Sequence, residues 1–121
     1  MVKEVIEQVI GDFSLDPIVI NSGYCYGFAV ELNALLYLKN KSSDIVNNEH
    51  FFVTDKEGFN LGWDKDEFAK YNLPVPSFNS RDIDENYHVF IYFEGMFYDA
   101  ECSEGTVNWL DLPFYQRVLN K

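Results

Sequence analysis

The run CYGFAVELNALLYLKN, from Cys25 to Asn40, constrains the fold more than any other stretch of the chain. It is long enough for about four helical turns, and its only charges are Glu31 and, at its end, Lys39. A helix apolar nearly all round belongs in the middle of a fold, covered by other elements. Ser22 and Gly23 are suitable N-terminal punctuation, which places Cys25 in or beside the first turn.

The elements around that helix follow from local pattern. Val2, Val5, Ile6, Val9, Ile10 and Phe13 recur at helical spacing, so the first dozen residues form an amphipathic helix, with Gly11 and Pro17 expected to break it. LDPIVINSGY then reads as extended or looped, and NKSSDIVNN, from Asn40 to Asn48, as a polar surface loop. HFFV from His50 is a short strand, and Asp64 with Glu67 three positions on matches a capping box for a helix through Phe68 to Tyr71. NLPVPSFNSRDIDEN reads as a connector. The strongest β signal is YHVFIYF, then Glu94 and Gly95, then MFYDAEC: two β-rich runs around a two-residue turn ending in glycine, hence a hairpin. The tail is helical, with Pro113 in its first turn and Arg117 and Lys121 near its carboxyl end. Helices first and strands mostly after imply an α+β domain spanning 1–121, its central buried helix packed on an antiparallel sheet.

Composition narrows the function classes. The 121 residues hold 9 Lys and Arg against 20 Asp and Glu, a formal charge of −11, yet 47 % are hydrophobic and 17 % aromatic, so a disordered acidic tail is excluded. A field this negative repels phosphate backbones and anionic lipid, so neither nucleic acid nor membrane is an expected partner, and a basic protein or peptide suits it better. The amino terminus has neither the apolar run of a signal peptide nor a membrane span. Two cysteines, Cys25 and Cys102, are too few for a structural zinc site without further ligands, and free thiols in a reducing cytoplasm are expected. No cofactor or metal is called for. RDIDEN alternates oxygens at Asp82, Asp84 and Asn86 but lacks the glycine and distal glutamate of a calcium loop, so it reads as a solvated turn.

A thiol attacks only as thiolate, and a helix N-terminus favours that anion. Cys25 stands where this effect operates. A histidine suits the tasks of holding the thiolate and passing a proton to the leaving group, and the candidates are His50 and His88. If Glu94 and Gly95 form the turn, Phe93 pairs with Met96, His88 faces Glu101 and Phe90 faces Asp99. Paired residues share a face, so His88, Asp99 and Glu101 project together and Cys102 projects from the other side. Asp99 is the expected orienting carboxylate, with Glu101 as possible support; His50, at the head of a Phe-rich strand, has no comparable partner. Cys102, Trp63 and Trp109 are assigned to packing or the wall of a cleft.

SGYCYGFAVELNALL resembles the nucleophile helix of papain-like and transglutaminase-like thiol enzymes, with Gly two before the Cys and an aromatic after it. HVFIYFEGMFYDAE resembles the transglutaminase-like hairpin, where the catalytic His begins one strand and the Asp ends the next. Together the two strings cover about a quarter of the chain. The resemblance implies Cys25 as nucleophile, His88 as base and Asp99 as its orienting partner, on a papain-like or transglutaminase-like core. Tyr26 stands where Trp is commoner, and no glutamine just before Cys25 supplies an oxyanion donor; Asn21 is the nearest amide and the candidate for that role. The implied activity is acyl transfer or hydrolysis at an amide, isopeptide or thioester carbonyl. Two other readings stand beside it: an acidic binding or inhibitor module that covers a basic surface of a partner protein, and a non-catalytic domain assembling through exposed aromatics.

Overall fold

The computed structural model describes residues 2–120; Lys121, expected near the end of the last helix, lies outside them. Helix α1 (Val2–Phe13) buries Val5, Ile6 and Val9. It runs through Gly11 rather than breaking there: Phe13 sets its ring edge-on to Phe28 with centroids 6.1 Å apart, and that contact offsets the roughly 1 kcal/mol a helical glycine costs. The helix stops at Ser14, whose φ is +55°. Pro17 begins an element instead of ending one, occupying the first turn of the short α2 (Pro17–Asn21), where its missing N–H costs nothing.

Helix α3 (Cys25–Leu38) buries Phe28, Ala29, Leu32 and Leu36. Its opposite side leaves Tyr26, Val30, Tyr37 and Leu38 exposed, so the helix is covered by the sheet and by α1 on one side rather than enclosed. Its N-cap is Tyr24, with no side-chain cap, and Ser22 bonds back to the Ile18 carbonyl. The remaining elements are β1 (Asp44–Asn47), a 3₁₀ turn at Asn48–Phe51, β2 (Phe52–Thr54), β3 (Asn60–Trp63), α4 (Lys65–Lys70), α5 (Arg81–Asp84), β4 (Val89–Phe93), β5 (Met96–Asp99), β6 (Cys102–Thr106), a 3₁₀ turn at Trp109–Asp111 and α6 (Pro113–Leu119). Asp64 caps α4 by accepting from the Asp66 and Glu67 backbone N–H groups.

The architecture is α+β. An antiparallel four-stranded sheet runs in the order β1-β4-β5-β6, with β2 and β3 forming a separate ribbon. The β4–β5 register pairs Phe93 with Met96 and Ile91 with Tyr98, as the two-residue turn requires. Glu94 and Gly95 both have positive φ, +47° and +86°, which gives the turn the twist of the strands it joins. Asn40–Asn48 is not wholly loop: Asp44–Asn47 pairs with β4, and only that long-range pairing makes it a strand.

Alternation on β4 divides the core in two. Val89, Ile91 and Phe93 face α1 and α3, whereas Phe90 faces a second cluster containing Phe51, Phe68, Phe97, Trp109 and Tyr115. Trp109 stacks on Phe90 at 5.8 Å and is fully buried; Trp63 donates its indole N–H to the Phe78 carbonyl at 2.9 Å. Among the described residues no helix is long and apolar enough to cross a membrane.

Candidate functional site

The site forms where α3 begins, β4 begins and β5 ends. His88 immediately precedes β4 and is anchored there by its own backbone N–H, which donates to Asn48 Oδ1 at 3.0 Å. Asp99 is the last residue of β5. The imidazole Nε2–H donates to Asp99 Oδ2 at 2.8 Å, with both side chains shut off from solvent, 0 % and 1 % exposed. The other carboxylate oxygen, Oδ1, accepts the Glu101 backbone N–H at 2.9 Å, which fixes the rotation of the carboxylate. With Nε2 committed, Nδ1 is the end of the ring available for proton transfer, and no other side chain pairs with it.

Cys25, half-buried at the head of α3, lies close enough to His88 for thiol and imidazole to shift each other's titration, although no hydrogen bond joins the thiol to Nδ1. Burial pushes the Cys25 thiol up, but His88 together with the backbone N–H groups of Val89 and Tyr26 outweighs it and holds the thiol below its ordinary value. Burial alone would depress His88; Asp99 and Cys25 reverse this and raise it. Both shifts favour a thiolate beside an imidazolium. Cys102 moves the opposite way, pushed up by burial and then by the Asp99 charge, so the two thiols differ in kind.

Cys25, His88 and Asp99 are therefore brought together, while other expectations change. Glu101 does not face His88, because the chain turns at Ala100 and Glu101 and starts β6 instead of extending β5. Its carboxylate accepts from Arg117 at 2.6 and 2.8 Å and from Asn21 Nδ2 at 2.8 Å; burial works against its ionisation, and Arg117 and Asn21 more than compensate, leaving it lowered. The same turn pairs Cys102 with Asp99, so Cys102 shares the face of Asp99, against the aromatic cluster, rather than projecting from the other side. Asn21 is not a free amide. Its nitrogen is held by Glu101, and its buried Oδ1 has no partner. His50 remains outside the site and caps the Asn48–Phe51 turn. RDIDEN contains the single helical turn α5, and among the described residues no group of His, Cys, Asp and Glu is placed to hold a metal.

Three contributors had no signal in the sequence. Phe114, in the first turn of α6, stacks on the His88 ring with centroids 4.2 Å apart and planes 18° apart, and Tyr115 meets the same ring edge-on at 5.8 Å. Asn48 holds the His88 backbone. Their positions depend on contacts between remote segments, and neither spacing nor composition marks them.

A cleft of about 400 Å³ opens beside Cys25, lined by Asn21, Tyr26, Glu85, Tyr87 and Phe114 among others. The arrangement has what nucleophilic catalysis requires: an anion-favouring thiol, an imidazole held in one tautomer, and room for an acyl group. Comparison of the chain with protein-family models, with curated proteins and with solved structures finds no match.

Proposed function

We propose that this protein is a thiol enzyme, of the kind its papain-like and transglutaminase-like resemblance suggests, that transfers acyl groups from an amide, isopeptide or thioester carbonyl. The observation that carries the reading is the buried His88 to Asp99 hydrogen bond, which leaves Nδ1 unpaired on a ring whose neighbouring thiol, Cys25, is lowered below its ordinary value. Cys25 thiolate attacks the carbonyl carbon. The tetrahedral adduct then collapses as His88 Nδ1 gives its proton to the departing nitrogen or sulfur, leaving a thioester on Cys25. Neutral His88 next takes a proton from the acceptor as it attacks, the C–S bond breaks, and the thiolate returns. Water as acceptor gives hydrolysis and is the default; an amine gives transfer. Asp99 holds the ring and stabilises its charged form. Two free thiols suit a reducing cytoplasm.

Phenyl thioacetate tests the whole cycle. The expected result is a burst of one thiophenol per chain with an acetyl group on Cys25, followed by steady turnover. Cys25→Ala abolishes both phases, and His88→Ala abolishes the turnover. Equal acetylation of Cys25 and Cys102 without turnover would show that the thiol is not activated. The competing acidic binding module predicts a biological activity that survives Cys25→Ala.

A further inference from the structure

Among the described residues, the lining of the cleft beside Cys25 carries one carboxylate, two exposed tyrosine rings and no cation. Ser22 spends its hydroxyl proton on the Ile18 carbonyl at 2.7 Å, and the Tyr24 backbone N–H goes to the Ile20 carbonyl at 2.8 Å. The backbone N–H groups of Tyr26 and Val89 act on the Cys25 thiol and help to lower it. Asn21 is 3 % exposed, and its amide cannot turn over, since Oδ1 would then meet the Glu101 carboxylate; the oxygen is the end left without a partner. Glu85 lines the cleft as a solvent-exposed carboxylate, and among the described residues lining it there is no cation. Tyr26 and Tyr87, 63 % and 51 % exposed, stand on the same lining. Glu49 adds negative charge nearby: after burial, it is the largest influence raising the Tyr87 phenol.

Aromatic faces beside an exposed carboxylate suit one ligand chemistry, a cationic group. We infer that the cleft receives a lysine or arginine side chain of a peptide substrate, next to the carbonyl that Cys25 attacks, with Glu85, Tyr26 and Tyr87 as the residues that select it. The inference rests on the proposed thiol chemistry and names its substrate class. The net charge of −11 acts in the same direction by drawing basic peptides towards the surface.

The test uses acetyl-Ala-Ala-X chloromethyl ketones with X as Lys, Arg, norleucine or Glu, reading the inactivation rate and the adduct on Cys25. The Lys and Arg reagents should react about tenfold faster than the norleucine one, the combined effect of an exposed ion pair and a cation–π contact. The Glu reagent should be slowest. In Glu85→Lys and in Tyr87→Ala the ratio of Lys to norleucine rates should fall towards one, a quantity from which any change in thiol reactivity cancels. Equal rates for all four reagents, or a ratio indifferent to both substitutions, overturn the inference. If iodoacetamide shows Cys25 no more reactive than Cys102, the thiol chemistry itself fails. The slot is then decided separately by NMR: acetyl-Ala-Ala-Lys-amide should shift Tyr26 and Tyr87 resonances where the Glu peptide does not, and an absence of that difference refutes it.

Discussion

Replacing Asp99 by asparagine isolates the electrostatic part of the site. The amide matches the carboxylate in size, but the carboxylate accepts two bonds, from His88 Nε2–H at 2.8 Å and from the Glu101 N–H at 2.9 Å. An amide has one oxygen, so its NH₂ must face one of these donors or turn His88 into the wrong tautomer, with the proton on Nδ1. Either outcome removes the charge that supports the imidazolium. A hydrogen bond to a charged group is worth about 1.5–3 kcal/mol, and both partners here are buried, so solvent does not screen the loss. At about 1.4 kcal/mol per factor of ten, the imidazolium and thiolate pair becomes about 10- to 100-fold less populated. Alkylation of Cys25 by iodoacetamide, followed by mass spectrometry from about pH 5 to about pH 10, should therefore slow by that factor on the acid side. The two profiles should converge on the alkaline side, where the thiolate forms without help. If Asp99→Asn keeps its near-ultraviolet circular dichroism and its profile overlays that of the unaltered protein, Asp99 does not support the charged ring and the reasoning is wrong.

Two further predictions concern titration and stability. His88 is raised above 6.5, so its contribution is complete below that value and is lost as pH rises through the raised one; Cys25 is lowered from 9.0, so its contribution is present above 9.0 and lost as pH falls through the lowered one. These slopes oppose each other, and Cys25→Ser removes the second together with the Cys25 share of the first, so the His88 imidazole should titrate at lower pH in the variant than in the unaltered protein; an unchanged midpoint by NMR would contradict the assignment. Gly105→Ala should cost more than Gly95→Ala, although both glycines have positive φ, +81° and +86°. A methyl group at 95 meets nothing within 4 Å, leaving a backbone cost of about 1 kcal/mol, whereas at 105 it would lie 2.7 Å from the Tyr98 ring and add overpacking of about 1–3 kcal/mol. Equal losses in urea unfolding would refute this ranking.

Much of the candidate site could be read from the sequence because its information is local. The position of Cys25 follows from where an apolar helix must begin. The juxtaposition of His88 and Asp99 follows from a turn whose two residues set the parity of both strands. Such arguments end where a local choice has two outcomes of similar energy. Nothing in MFYDAEC says that the chain turns at Ala100 rather than running on to Cys102. The turn is selected by β6 pairing back on β5 and by Arg117 meeting Glu101, and it redirects both Glu101 and Cys102.

The sequence alone determined the α1 and α3 helices, the Asp64 cap, the β4–β5 register and the order of thiol, imidazole and carboxylate, since each is set by neighbours a few residues apart. Tertiary structure decided the rest. Asp44–Asn47 is a strand only because β4 supplies its hydrogen-bond partners, Phe114 covers His88 only because α6 folds back across the sheet end, and Asn21 turns its oxygen inward only because Glu101 takes its nitrogen. In each case the free energy comes from a contact between distant segments, and a chain read residue by residue does not contain it until the segments meet.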